Sequence, residues 1–270
     1  MRIALTIAGS DSGGGAGIQA DLKTFQRFGV FGTSVITAIT AQNTVGVRAV
    51  HAVPVDIIEA QLAALAEDLP PVGLKTGMLG SAEAARAVSA AITRYRWGPY
   101  VLDPVMVASS GARLLDQDAE IEVRTRLLPL STVVTPNLEE AAALVDYPVR
   151  DSVAMERAGR ALLEMGAGAV LIKGGHLAGE SLVDVLVTRD EVRHFEHPRI
   201  ATRSTHGTGC TLSAAITAGL VRRLEGWTPE RLVPWDLLTS AVGDALEYVQ
   251  RAIAGAPGLG RGAGPLNHSA

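Results

Sequence analysis

The chain has 270 residues, of which 47% are hydrophobic but only 4% aromatic, so its core must consist mostly of aliphatic side chains. A formal net charge of −4, without a dense run of Lys and Arg, argues against a protein that binds nucleic acid. The single cysteine, Cys210, excludes an intramolecular disulfide and favours a reducing compartment, so we predict a cytoplasmic protein. No apolar stretch is long enough to span a membrane, and the N-terminal one is too short for a signal peptide.

Short β-branched runs alternate with longer Ala- and Leu-rich periodic runs along the chain. In the first half we predict strands over 3–8, 34–39, 72–79 and 100–105 and helices over 16–28, 56–67 and 82–95. In the second half we predict helices over 121–128, 138–144, 155–165, 210–224 and 237–253 and strands over 132–135 and 169–173. Residues 182–188 and 191–196 flank Arg189-Asp190 and predict a hairpin. The Gly- and Pro-rich tail, 255–270, is either frayed or folded back over a site.

This alternation predicts a mainly parallel sheet with helices on both faces, in a single α/β domain that covers residues 1–270. Ligands of such sheets bind outside the carboxyl ends of the strands. That rule points to seven stretches for the site, which are 9–17, 40–43, 76–78, 103–110, 135–140, 173–176 and 205–210.

The strongest local signal is the Gly-Thr-Gly turn of residues 205–210, which opens a long helix. Its glycines allow a close approach of backbone to ligand, and the free N–H groups and dipole at the helix start favour an anion. A Gly-rich helix start with a Thr cap explains the same residues without a ligand. Cys210 in this first turn is either an activated thiol, because a helix N-terminus can lower a thiol pKa, or a small buried hydrophobe.

The glycine-rich stretch 9–17 follows a strand and precedes a helix. It lacks the Gly-Lys-Ser/Thr ending of a P-loop and does not match the dinucleotide fingerprint. We therefore expect glycine backbone close to a ligand, without an indication of which ligand.

Several charged or polar residues follow other strands. Asn137 and Glu140 match a capping box in outline, and they also suit a Mg²⁺ ion held partly through water. Asp103 provides a second carboxylate at the same edge of the sheet. Lys173 is either a solvated strand end or a positive charge for a transferring phosphoryl group.

Taken together, these motifs resemble the ribokinase superfamily, and more closely the hydroxymethylpyrimidine/phosphomethylpyrimidine kinases of thiamin biosynthesis. The resemblance covers nearly the whole chain in the family's order, through residues 7–24, 37–44, 75–79, 102–106, 135–141, 173–176, 206–215 and 264–268. It implies a three-layer ribokinase-like fold with a small β-hairpin. The implied activity is ATP-dependent phosphorylation of 4-amino-5-hydroxymethyl-2-methylpyrimidine, and then of its monophosphate to the pyrophosphate.

The resemblance also implies a role for each phosphate-side residue. Gly207, Thr208, Gly209 and Cys210 would hold the charge of the transferring phosphoryl group. Cys210 stands where sugar kinases of the superfamily place an aspartate base, so it would take the hydroxymethyl proton or help to neutralise developing charge. Lys173, Thr208 and Asn137 would contact ATP, and Asp103, Asn137 and Glu140 would hold Mg²⁺ largely through water.

On the substrate side, Gln42 would read the amino and ring-nitrogen edge of the pyrimidine with its amide. Gly9, Asp21, Met78 and Val105 would complete the pocket, and the loop 108–111 would close over it as a lid. The family also implies a homodimer, whereas the need for a monovalent cation stays open.

Three rival interpretations remain at this point. One is a non-catalytic nucleotide- or vitamin-binding protein, against which the intact set of Lys173, Asp103, Asn137, Glu140 and Cys210 argues. Pyridoxal kinases of the same lineage are known for a second, lid cysteine that bonds the aldehyde, and this chain has only Cys210. Another rival is a hydrolase with Cys210 as nucleophile and His206 as base, but the sequence shows no third residue that would orient the histidine. The sequence gives His206 no other role.

Overall fold

The computed structural model describes residues 1–106, 117–175, 181–226, 228 and 232–270. The strands in these ranges are β1 (Ile3–Asp11), β2 (Phe31–Asn43), β3 (Gly46–Ala52), β4 (Leu74–Thr76), β5 (Tyr100–Leu102), β6 (Val133–Val134), β7 (Val170–Ile172), β8 (Ser181–Val187) and β9 (Val192–Pro198). The α-helices are α1 (Gly17–Arg27), α2 (Val55–Asp68), α3 (Ala82–Tyr95), α4 (Gln117–Glu122), α5 (Leu138–Val145), α6 (Ser152–Glu164), α7 (Thr208–Arg223) and α8 (Trp235–Ala254). The predicted lid, residues 108–111, and His176 lie outside the described residues.

All nine described strands form one sheet in the order β3-β2-β1-β4-β5-β6-β7-β8-β9. The six strands from β2 to β7 in this order are parallel, while β3, β8 and β9 run antiparallel to their neighbours. The β8–β9 hairpin closes where Val187 pairs with Val192, as predicted. The predicted α/β fold with a mainly parallel central sheet is therefore confirmed.

Helices cover both faces of the sheet because side chains alternate along each central strand. In β5, Tyr100 and Leu102 pack with α2 to α6 in the larger core, while Val101 packs with α7 and α8 on the opposite face. A third apolar cluster joins β1, α1 and α7 on the face that α7 and α8 cover. The result is three layers, with every side chain of β5 buried.

Two elements differ from the sequence prediction. Strand β3 was not predicted, because it is an edge strand without a buried side chain and so lacks the alternation that marks a half-buried strand. The predicted helix 121–128 is instead the end of α4, a π-helical turn at Val123–Leu127 and a 3₁₀ turn at Leu128–Leu130. Pro129 in the last turn has no N–H to continue an α-helix.

The strand pairings contain two irregularities, and both lie where a residue of the predicted substrate pocket stands. The β1–β2 register shifts between Ala8 and Ser10, at Gly9, and the β2–β3 register shifts between Ala41 and Gln42. Such bulges re-aim side chains and interrupt the regular pairing. The sheet edge therefore opens at the place where the ligand was expected.

The C-terminal tail is folded back, which decides between the two alternatives left open by the sequence. The Asn267 amide donates to the Ala252 carbonyl over 3.0 Å, and the His206 amide donates to the Gly264 carbonyl over 3.1 Å. The Tyr248 hydroxyl donates to the His268 carbonyl over 2.9 Å. The tail thus lies against the Gly-Thr-Gly turn.

Within the described ranges, no helix is both long enough and apolar enough to cross a membrane.

Candidate active site

A cavity of about 630 Å³ lies at the carboxyl ends of the parallel strands. Its walls come from the loops after β1, β4, β5, β6 and β7 and from the start of α7. The predicted site residues that line it are Gly9, Gln42, Met78, Asp103, Val105, Asn137, Glu140, Lys173, Gly207, Thr208, Gly209 and Cys210. Asp21 is the one predicted site residue that does not.

The start of α7 leaves backbone N–H groups available beside this cavity. Gly207 has a left-handed φ of 83°, and a Cβ at that position would lie 1.9 Å from the Gly15 carbonyl oxygen, so only glycine fits. No side chain caps the helix, and the amides of Gly209 and Cys210 have no acceptor among the described residues. The helix start is therefore suited to an anion, as the sequence predicted.

Lys173 stands next to this helix start and pairs with two carboxylates. Its Nζ lies 3.2 Å from Asp103 Oδ1 and 3.7 Å from Glu140 Oε2. Burial acts to lower the pKa of Lys173, but the charges of Asp103 and Glu140 outweigh it and raise that pKa, so the side chain is an ammonium ion. A Cβ on Gly209 would lie 3.3 Å from Lys173 Nζ, which places the ammonium group beside the free amides.

Asn137 and Glu140 form a complete capping box at the start of α5. The Asn137 side chain accepts from the Glu140 amide over 2.9 Å, and Glu140 Oε2 accepts from the Asn137 amide over 2.8 Å. Burial raises the pKa of Glu140 to about 7, and the negative charge of Asp103 adds to this, against the attraction of Lys173. The cap predicted from the spacing is confirmed, and it leaves the carboxylate at the cavity wall.

The same carboxylates fit a hydrated Mg²⁺ ion. No group of three or more His, Cys, Asp or Glu side chains arranged for a metal occurs in the part of the chain that the structure describes. However, the carboxyl groups of Asp103 and Glu140 share one ammonium partner, Lys173, so ionisation of both leaves one negative charge without a partner of its own. Mg²⁺ keeps several waters and needs few carboxylates when it binds together with substrate phosphates.

Cys210 lines the cavity but is not the activated thiol that its helix position suggested. Burial raises its pKa to about 11, and the charges of Asp21 and Asp103 add to the increase, while the charge of Lys75 and the Gly17 amide oppose it. The loss of hydration outweighs the helix start, so the thiol is protonated at neutral pH.

Asp21 has a different place from the one predicted for it. Its carboxylate is fully buried, accepts from the Thr6 hydroxyl over 2.6 Å and pairs with Lys75 Nζ at 3.1 Å. Burial acts to lower the pKa of Lys75, but the charge of Asp21, the hydrogen bond to it and the charge of Asp103 act together against burial, and the pKa is raised. This buried ion pair, Asp21 with Lys75, lies behind the cavity wall, so Asp21 is not among the residues that line the cavity.

The cavity wall is close-packed around Gly9. A Cβ at Gly9 would lie 2.3 Å from Met78 Cε, so a larger residue would displace Met78 from the wall. The backbone of Gln42 is held by Ser12, whose hydroxyl donates to the Gln42 carbonyl over 2.7 Å and accepts from its amide over 2.8 Å.

Sequence reasoning missed three residues that support this site. His206 Nε2 lies 2.9 Å from Asp11 Oδ2 and 3.3 Å from Gln42 Nε2. Asp11 and Lys75 carried no role in the sequence interpretation, although Asp11 follows the first predicted strand and Lys75 lies inside the third. A charged residue in the apolar surroundings of Lys75 was the signal that could have identified it.

Comparison with known proteins places the chain among vitamin kinases. The family model described as phosphomethylpyrimidine kinase matches residues 11–267. The hydroxymethylpyrimidine/phosphomethylpyrimidine kinase of Haemophilus influenzae is 47% identical over 272 residues, which cover 99% of this chain and 97% of that protein. The thiamine biosynthesis bifunctional protein ThiED of Geobacter sulfurreducens is also 47% identical over 98% of this chain, but the chain spans only 51% of that protein.

Solved structures give a similar result. The phosphomethylpyrimidine kinase from Clostridium difficile is 41% identical with a TM-score of 0.80, covering 94% of this chain and all of the other. Pyridoxal kinase of Bacillus subtilis, solved as an ADP complex, is 37% identical with a TM-score of 0.89, covering all of this chain and 98% of the other.

Proposed function

The chain belongs to the phosphomethylpyrimidine kinase family, and on that basis we propose that it phosphorylates 4-amino-5-hydroxymethyl-2-methylpyrimidine with ATP and then phosphorylates the monophosphate to the pyrophosphate. We further propose that residues 1–270 act as one kinase domain, which the single nine-stranded sheet of the described residues supports. Membership of a kinase family excludes the hydrolase with Cys210 as nucleophile.

One observation carries the proposal. One cavity is lined by the free amides at the start of α7, the ammonium group of Lys173 and the amide side chain of Gln42. Phosphoryl transfer needs little covalent chemistry from the protein and depends on positioning and on positive potential at the phosphoryl group. This cavity offers both, with a place for a polar heterocycle beside Gln42.

In this mechanism the substrate's hydroxymethyl oxygen forms a bond to the γ-phosphorus while the bond from that phosphorus to the ADP oxygen breaks. The hydroxyl proton passes to a phosphate oxygen, because the protonated thiol of Cys210 cannot accept it. The free amides of Gly209 and Cys210 and the ammonium group of Lys173 stabilise the charge on the phosphoryl oxygens. The raised pKa of Cys210 favours the second role predicted for it, in which a protonated thiol helps to neutralise charge.

Thr208 and Asn137 would contact ATP together with Lys173, and Met78, Val105 and Gly9 would enclose the pyrimidine ring beside Gln42. Asp103, Asn137 and Glu140 would hold Mg²⁺ largely through water, and the ion would neutralise phosphate charge. Binding of a monovalent cation stays a prediction without a site among these residues.

We also propose a cytoplasmic homodimer. The β2–β3 edge of the sheet supports the dimer, because it exposes the apolar side chains of Ile39, Val45 and Val50 by 53%, 66% and 52%. Exposed apolar side chains at an edge strand are typical of an interface between chains.

Pyridoxal phosphorylation is the second candidate, because solved pyridoxal kinases have the same fold at 37% identity. The test is ADP release measured with hydroxymethylpyrimidine, its monophosphate and pyridoxal side by side. We expect the highest kcat/KM with the two pyrimidines. A preference for pyridoxal would replace the proposed substrate, and no ATP consumption with any of the three would contradict kinase activity on this substrate class.

A further inference from the structure

Polar side chains around Gln42 form a network whose protons can be assigned from its geometry. Gln42 Nε2 lies 3.3 Å from His206 Nε2, and Gln42 Oε1 lies 3.2 Å from Thr40 Oγ1. His206 Nε2 also lies 2.9 Å from Asp11 Oδ2. Each of these contacts requires one donor and one acceptor.

Asp11 can only accept hydrogen bonds. Burial acts to raise its pKa, but the hydrogen bonds from His206 and from the backbone amides of Gly13 and Ala16 outweigh it, so its pKa is lowered. The amides of Gly13, Gly15 and Ala16 already donate to the carboxylate over 2.7, 3.0 and 2.9 Å. Because Asp11 is ionised, His206 must carry a proton on Nε2 and donate it.

The ring of His206 cannot turn away from this arrangement. A Cβ on Gly15 would lie 2.8 Å from His206 Cδ2, so the ring packs directly on the glycine backbone. The C-terminal tail holds the His206 backbone, through a hydrogen bond from its amide to the Gly264 carbonyl and a bridge at Pro265. His206 therefore presents a protonated Nε2, and no acceptor, to Gln42, with its one proton shared between Asp11 Oδ2 at 2.9 Å and the longer contact of 3.3 Å to the Gln42 amide.

Thr40 requires a donor from the same amide, whereas His206 requires an acceptor. Its hydroxyl has one proton, which it donates to the Ser10 carbonyl over 2.8 Å. Toward Gln42 the hydroxyl oxygen can therefore only accept. If Nε2 of Gln42 lies toward His206, this NH₂ group faces the N–H of His206, so two donors meet. At the same time Oε1 of Gln42 faces the hydroxyl oxygen of Thr40, so two acceptors meet. A half-turn of the amide, with oxygen toward His206 and nitrogen toward Thr40, satisfies both contacts.

We propose that Asp11, His206 and Thr40 are positioning residues that hold the Gln42 amide in this second orientation and so determine which substrate ring is accepted. This inference rests on the proposed role of Gln42 in reading the pyrimidine edge. A 4-amino pyrimidine offers a donor beside a ring acceptor, whereas its 4-oxo analogue offers an acceptor beside a ring N–H donor. A fixed amide matches one of these orders, and a freely rotating amide adapts to either.

The enzymatic test compares kcat/KM for the 4-amino substrate and the 4-oxo analogue in the wild type, His206→Phe and Thr40→Val. We expect the amino-to-oxo ratio to fall at least about tenfold in both variants, the loss expected for one neutral hydrogen bond, mostly through KM. Thr40→Ser, which keeps the hydroxyl, should restore the ratio. His194→Phe, which alters an exposed histidine paired with Glu156, is the matched control. An unchanged ratio in His206→Phe, with an active wild type, would overturn the proposal.

A second measurement needs no substrate. In the ligand-free protein, the side-chain NH₂ protons of Gln42 should show nuclear Overhauser contacts to the Thr40 methyl group and none to the His206 ring. Contacts to the His206 ring instead would overturn the orientation. If the wild type consumed no ATP with the pyrimidine, the proposed function would fail, and this measurement would still decide how the amide is held.

Discussion

Cys210 shows how burial can override the local electrostatics of a helix start. Its position in the first turn of α7 favours a thiolate, yet its pKa is raised to about 11 because the thiol is removed from water and lies near the charges of Asp21 and Asp103. We infer that Cys210 acts as a neutral group, close to the reacting oxygen, rather than as a standing base.

For Cys210→Ala we expect turnover at the hydroxymethyl step to fall by about 10²-fold or more, in the range for groups that stabilise transferring charge. Because Cys210 is the single cysteine, alkylation of the chain reports its ionisation directly. The rate should be low at neutral pH and rise steeply as pH approaches about 11. Unaltered turnover in Cys210→Ala would reduce the residue to a packing role.

Gln42 carries the predicted recognition of the substrate edge. For Gln42→Ala we expect a KM for the pyrimidine that is raised about tenfold, as for a lost neutral hydrogen bond, with the KM for ATP unchanged. Gln42→Glu, which keeps the size but loses the donor, should behave similarly. A pyrimidine KM equal to that of the wild type in both variants would remove Gln42 from the pocket.

At the scale of elements, α5 begins with a capping box whose acidic member also lies at the cavity wall. The two roles of Glu140 can be separated, because a Gln side chain keeps the oxygen that accepts from the Asn137 amide but has no charge. We expect Glu140→Gln to lower kcat/KM at limiting Mg²⁺ by about 10- to 100-fold, as for residues that support a metal. Kinetics like those of the wild type would leave Glu140 with the cap alone.

The same variant makes a prediction about stability. The folded-state pKa of Glu140, about 7, lies above its ordinary value of 4.5, so the protonated form stabilises the fold below pH 4.5 and this contribution is lost as pH rises through about 7. Glu140→Gln should therefore unfold at the same temperature as the wild type near pH 4.5 and at a higher temperature at pH 8. A lower melting temperature at pH 8 would contradict this assignment of charge.

At the scale of the whole molecule, a buried ion pair joins three elements beneath the cavity. Asp21 on α1 contacts Lys75 on β4 and Thr6 on β1, and neither charged side chain of the pair is exposed. In Asp21→Leu the ammonium group of Lys75 would stay buried without its partner, so we expect a loss of about 3–5 kcal/mol in the free energy of unfolding.

Urea unfolding of Asp21→Leu and of the double variant Asp21→Leu/Lys75→Met tests this. The double variant should recover most of the lost stability, because an apolar pair of similar volume leaves no buried charge. Equal losses in both variants would show that packing rather than charge explains the effect.

The sequence by itself determined the alternation of strands and helices, the parallel sheet and the loops that carry the site. These follow from local periodicity, from glycine-rich turns and from the rule that carboxyl ends of parallel strands meet at one edge. The predicted phosphate-side residues and Gln42 accordingly line one cavity. Strand β3 was not predicted, because an exposed edge strand has no buried face and its residues therefore need not alternate between apolar and polar.

Only the tertiary structure decided what depends on groups distant in sequence. Asp21 is separated from Lys75 by 54 positions and His206 from Asp11 by 195, so no local pattern contains either pairing. The pKa of Cys210 likewise depends on burial and on charges from other elements. Hydrogen bonds and ionisation are set by distances of a few ångströms in space, and the chain reaches those distances only when the sheet and the tail are assembled.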